Sequence, residues 1–145
     1  MTEESTLQGS RINNNSVTEM KSETIIGFIT ATRCSSFTAN SMSTHDPNGS
    51  LLAIHSVVVH KKYQKLGVGT ALMNDYLNYI NQLMEEKVIS NTSIIKGKLI
   101  EQIVLLSKID NVRFYIRNGF QVLGQSHIEH GSDIWYDCVQ SINIV

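Results

Sequence analysis

Apolar positions group the chain into patterned segments separated by polar ones. Residues 23–33, carrying Ile25-Ile26-Gly27-Phe28-Ile29, read as a strand. Residues 52–59 are apolar or β-branched except for His55 and Ser56, which predicts a buried strand. A basic turn of His60, Lys61, Lys62, Tyr63, Gln64 and Lys65 follows, then glycines at 67 and 69. Val68, Leu72, Tyr76, Ile80 and Leu83 then recur at helical spacing on one face. Residues 85–97 are polar and read as an irregular surface excursion, and 99–107, with Ile103-Val104-Leu105-Leu106, as another buried strand. Residues 110–118 form a short helical pattern, with Asp110 placed as N-cap and Gly119 at the C′ position. Segments 120–128 and 133–139 read as strands about a turn at Glu129-His130-Gly131-Ser132.

The resulting order is strand, strand, helix, strand, helix, strand, strand. It predicts an α/β domain, a mixed antiparallel and parallel sheet with two main helices. The polar connection 34–50 contains the proline turn His45-Asp46-Pro47-Asn48-Gly49, so the strands it joins should be antiparallel neighbours. The strand after the first helix should return parallel through a right-handed crossover. Residues 1–22 are polar and lack periodicity, and are expected to be largely disordered, with 7–12 as a candidate edge strand. The domain is thus placed at 23–145.

A chain of 145 residues is one domain, and a net charge of −1 gives no basic face for nucleic acid. The apolar runs are too short to span a membrane, and the acidic, polar start is unlike a signal peptide. Cys34 and Cys138 make no disulfide framework, and no Cys-His motif surrounds either. Reduced thiols fit a cytoplasmic protein. His127 and His130 with Cys138 lack the spacing of a metal site.

The candidate chemistry lies in the turn after the second strand. The first N–H groups of a helix have no partner within it, and the helix dipole places positive charge there. Glycine lets the backbone approach an anion closely, and Lys61, Lys62 and Lys65 add cations. The spacing excludes a Walker loop, and a third glycine for a dinucleotide fingerprint is missing. It matches instead Q/R-x-x-G-x-G/A, as Gln64-Lys65-Leu66-Gly67-Val68-Gly69.

That hexapeptide resembles the pyrophosphate loop of the GCN5-related N-acetyltransferases (GNAT), which use acetyl-CoA. Three further segments resemble the arylalkylamine and polyamine branch of that family. They are His45-x-Pro47-x-Gly49 with Ile54-His55-Ser56-Val57-Val58-Val59; Arg113-Phe114-Tyr115-Ile116-Arg117-Asn118-Gly119-Phe120; and His130-Gly131-Ser132 with Trp135-Tyr136-Asp137. The resemblance implies that backbone groups of Val57, Val58 and Val59 pair with pantetheine. It implies that Gln64, Lys65 and the amides of Leu66, Gly67, Val68, Gly69 and Thr70 hold the pyrophosphate. It makes His55 the base, acting through water, and Tyr115 the acid at the CoA sulfur. Without it, His55 reads as a structural strand residue and Tyr115 as a core aromatic.

Three features depart from the branch. Ala53 stands where relatives often carry a second histidine, and Arg113 where they carry proline. The first strand and two helices of a full family member have no counterpart, so a truncated fold is expected. Its exposed sheet edge would favour a homodimer. The implied function is transfer of acetyl from acetyl-CoA to a small primary amine, by direct attack in a ternary complex. The alternatives are a protein lysine or N-terminus as acceptor, and a non-catalytic acyl-CoA-binding remnant.

Overall fold

The computed structural model of the chain describes residues 2–6, 13–14, 17–18, 21–90 and 99–142. Its strands are β1 (Thr2–Thr6), β2 (Asn13–Asn14), β3 (Val17–Thr18), β4 (Ile25–Cys34), β5 (Leu51–Val59), β6 (Gln102–Ser107), β7 (Gln121–Gln125) and β8 (Tyr136–Ser141). Its helices are α1 (Ala39–Met42), α2 (Val68–Ser90) and α3 (Val112–Arg117). Six strands form one sheet in the order β1-β4-β5-β6-β8-β7, while β2 and β3 make a separate pair. Within the six-stranded sheet β5 and β6 are parallel and every other neighbouring pair is antiparallel. This is the mixed sheet with helices that the alternation of patterns predicts.

The long amphipathic α2 covers one face. Leu72, Met73, Tyr76, Leu77, Ile80 and Met84 pack on Ile29, Leu52, Ile54, Ile103 and Leu105, with Phe120 and Cys138 completing the core. A smaller cluster of Cys34, Met42, Ala53 and Val104 lies on the opposite face, bordered by Phe37, Leu106 and Ile128. Among the described residues, no helix is long and apolar enough to cross a membrane.

Four expectations are corrected. α2 continues to Ser90, into the stretch expected to be irregular. Gln82 bonds Glu86 one turn on at 3.2 Å, and a solvated polar helix end carries no apolar stripe to announce it. Asp110 lies in a 3-10 turn (Ile109–Asn111), and Asn111 takes the N-cap position of α3 without a side-chain cap bond. Gly119 does end α3 in the left-handed conformation, at φ +89°. Within the segment 1–22, Thr2–Thr6 pairs with β4, because a strand edge recruits any extended backbone whatever its side chains. The β4 edge expected to be open is therefore covered along Ile25 to Thr30. The candidate edge strand at 7–12 lies outside the described residues.

Candidate active site

β5 and β6 pair only from Leu51↔Gln102 to Ile54↔Leu105, and beyond that the two strands part. On its other side β5 stays paired with β4 as far as Val59↔Gly27. His60 N–H donates to the Ile26 carbonyl at 2.7 Å. Backbone polar groups alternate in direction along a strand, so those of Val58 face β4 and those of Val57 and Val59 face the opening. The Gln64 side-chain amide closes onto the Val59 carbonyl at 3.0 Å. The N–H and C=O of Val57 and the N–H of Val59 remain as a strand edge for a ligand.

A bulge sits where the strands part. Thr30 pairs with Ser56 and Ala31 with Ile54, which leaves His55 as the residue without a register partner. The extra residue reverses the alternation. Leu52 and Ile54 face the α2 side, and after the bulge so do Val57 and Val59, while His55 faces the other.

The turn beyond β5 has backbone geometry that can receive an anion. The His60 ring accepts the Lys62 amide at 3.1 Å and caps a 3-10 turn (Lys61–Tyr63). Lys65 and Gly67 then adopt left-handed backbone, at φ 64° and 83°. Gly67 does so freely, whereas a lysine there is held against its preference. The Gly67 carbonyl accepts the Ala71 amide at 3.1 Å, so the amides of Val68, Gly69 and Thr70 lie in the first turn of α2, ahead of any intrahelical partner. No acidic side chain occupies that turn. A Cβ on Gly69 would lie at ordinary contact distance, 3.4 Å from Phe114 and 3.7 Å from Val59.

These parts enclose a cleft of about 490 Å³. Val57, Val59, Gln64, Lys65, Gly67, Val68, Gly69, Thr70 and Tyr115, nine of the residues singled out in sequence, line it. Val58 and Leu66 do not: Val58 falls on the alternate face of β5, and Leu66 is 70% exposed on the outside of the turn. Tyr63, Asn111 and Phe114 also line the cleft and were not singled out for that role. Phe114 lies in the quoted aromatic segment. Asn111 has no local signal, since only the docking of α3 brings it there.

Tyr115 presents its ring edge-on to Phe114 and Phe120, with centroids at 5.2 and 5.7 Å. Burial first, and the neighbouring Cys138 second, push its hydroxyl to higher pKa. It therefore keeps its proton throughout the neutral range, as an acid must.

His55 lies elsewhere. It lines a second cavity, of about 230 Å³, with Met42, Leu106, Ile128, Glu129, His130 and Trp135. Its Nε2 is 2.9 Å from Thr32 Oγ1. The loop wall of this cavity is tied by the Trp135 indole N–H, which donates to the His130 carbonyl at 2.8 Å. Lys108 sits over the indole at 5.4 Å and pairs with Asp133 at 3.0 Å. The two expected catalytic side chains thus line different cavities, on either side of the strand that carries His55. Among the described residues, no three His, Cys, Asp or Glu side chains converge as metal ligands.

Comparison with known proteins agrees with this architecture. Residues 15–122 match the acetyltransferase (GNAT) domain family. No curated protein matches the sequence. The loading GNATL domain of CurA from Lyngbya majuscula superposes with a TM-score of 0.63 at 16% identity, over 81% of this chain and 71% of that one. NAA60 of Arabidopsis thaliana, solved with a bisubstrate analogue, gives 0.55 at 21% identity, over 83% and 67%. Ard1 from Thermoplasma volcanium gives 0.53 at 18%, over 82% of this chain but 64% of its own length, so the chain spans a little under two thirds of that protein. At these identities the likeness is one of fold. With the family match covering most of the chain, and the parted strands, glycine turn and helix N-terminus in one cleft, the chain belongs to the GNAT acetyltransferase family.

Proposed function

We propose that this chain transfers acetyl from acetyl-CoA to a small primary amine, and that the two cavities divide the reactants between them. The observation that carries the reading is the cleft at the parted strands. It combines a free backbone edge at Val57 and Val59, unpaired helix amides at Val68, Gly69 and Thr70, and the half-buried Tyr115 hydroxyl. A phosphorylated, amide-containing thioester matches those features in order: pyrophosphate at the amides and Lys65, pantetheine along the strand edge, sulfur towards Tyr115.

The acceptor belongs in the second cavity. Its walls are mostly apolar, with the Trp135 indole, Met42, Leu106 and Ile128, and Glu129 is its single carboxylate. One carboxylate suits a monoamine with an apolar or aromatic body; a polyamine carries several charges that this lining does not answer. His55 takes a proton from the ammonium, directly or through one water, leaving the nitrogen lone pair free to attack the acetyl carbonyl carbon. As the C–S bond breaks, the departing sulfur takes its electron pair and receives the Tyr115 proton. The second proton, shed by the attacking nitrogen as the amide forms, passes through solvent to the Tyr115 phenolate, and His55 releases its own to water, so ammonium and thioester become amide, thiol and one proton. Neither cysteine serves as a covalent carrier in this scheme.

Calorimetric titration with acetyl-CoA, followed by thiol release with arylalkylamines, polyamines and peptides in parallel, tests the reading. Binding with release on arylalkylamines is expected. Release on peptides alone would make the acceptor a protein terminus or lysine. Binding without release would make the chain an acyl-CoA-binding remnant, and absence of binding would remove the cofactor assignment.

A further inference from the structure

We propose that Thr32 is a positioning residue that commits His55 to accept protons through Nδ1; this rests on the role of His55 given above. Thr32 lies on β4 opposite Ala53, and His55, two residues on from Ala53, shares that face of the sheet. There Nε2 and Thr32 Oγ1 are 2.9 Å apart. Two hydrogen-bond polarities fit this distance. If the hydroxyl donates to Nε2, the ring lone pair is consumed, Nδ1 carries the hydrogen, and no base remains. If Nε2–H donates to Oγ1, the Nδ1 lone pair is free.

Only the second polarity survives the catalytic cycle. An imidazolium carries hydrogen on both nitrogens, so Nε2–H keeps its bond to Oγ1 while Nδ1 gains and loses the proton. The first polarity would have to break on every turnover. The N–H bond of the ammonium breaks with its electrons staying on nitrogen, Nδ1 takes the proton, and Thr32 gains and loses nothing. Orientation matters because His55, as the extra residue of a bulge, lacks the backbone partner that steadies its neighbours. The other ionisable groups around its cavity are Glu129 and His130 on the β7–β8 connection; α1 contributes Ala39 and Met42, and β6 contributes Leu106.

The hydroxyl accepts a stronger bond from the cation than from the neutral ring. Removing the hydroxyl frees both tautomers of the neutral ring. Imidazole nitrogen spectra of the full chain are expected to show His55 as the Nε2–H tautomer in the wild type, mixed in Thr32→Val and restored in Thr32→Ser. With an accepted amine, Thr32→Val should lower kcat by about tenfold, with the KM for acetyl-CoA unchanged, and Thr32→Ser should recover most of the loss. Transfer with a wild-type Nδ1–H tautomer, or with spectra unaltered by Thr32→Val, would overturn the role of Thr32 alone. Absence of transfer to every amine, with the Nε2–H tautomer intact, would overturn the catalytic assignment of His55 and with it the role of Thr32.

Discussion

Tyr115 and His55 carry the chemistry proposed here, and each makes its own prediction. Tyr115 retains its proton because burial disfavours phenolate, so Tyr115→Phe removes a proton donor while leaving the ring contacts in place. Turnover should fall by about 10²-fold. Binding of acetyl-CoA, measured by calorimetry, should persist, because the turn proposed to hold the pyrophosphate is untouched. His55→Ala should behave alike in turnover while leaving the CoA cleft intact, since the histidine lines the other cavity. Equal loss of acetyl-CoA binding in both variants would count against dividing the reactants between cavities. The residue types were legible in the sequence, where a strand histidine and a helix tyrosine could be matched to base and acid. Thr32 was not, because its partnership with His55 spans a strand pair and leaves no local pattern.

Among the elements, the turn between β5 and α2 holds two glycines with unequal demands. Gly67 is needed for its left-handed backbone at φ 83°, whereas Gly69 has room for a methyl. Gly67→Ala should destabilise the fold by about 1 kcal/mol and weaken acetyl-CoA binding. Gly69→Ala places a methyl at ordinary contact distance from Phe114 and Val59, so urea melts should show little change in stability. The spacing of the turn was readable because helix-end chemistry is local. The bulge in β5 was not: Leu52 to Val59 reads as a continuous apolar run broken by two residues, and its reversal of facing follows from pairing with β4. Simple alternation from His55 would have placed Val57 and Val59 on the histidine's face.

For the whole molecule, the buried acids set the response to pH. Burial pushes the Cys138 thiol up from 9.0 to about 11, and raises Cys34 and Tyr115 as well. In each case the unfolded chain releases its proton first, so the contribution to stability is fully present below the unfolded value. It is lost as pH rises through the folded one. The melting temperature should be flat through neutral pH and fall from about pH 9 towards 11. Cys138→Ala should weaken that fall, and a melting temperature rising over this interval would contradict the assignment. Both thiols are buried, so the native chain should resist alkylation at neutral pH until denaturant is added. The pairing of Thr2–Thr6 with Ile25 to Thr30 also takes up part of the edge on which dimerisation was expected, and among the described residues β1 is the outermost strand on that side.

By itself the sequence determined the order of the main strands and helices, the core-facing stripe of α2 and the glycine turn ahead of it. Each rests on periodicity or on chemistry within a few residues. The tertiary structure decided where the parallel pair ends, at Ile54 and Leu105, and so where the cleft opens. It also decided that β4 imposes a bulge at His55, which sends that side chain and Val57 to opposite faces. Register and bulges depend on pairing between segments far apart in the chain, and no local alternation of apolar and polar residues encodes them.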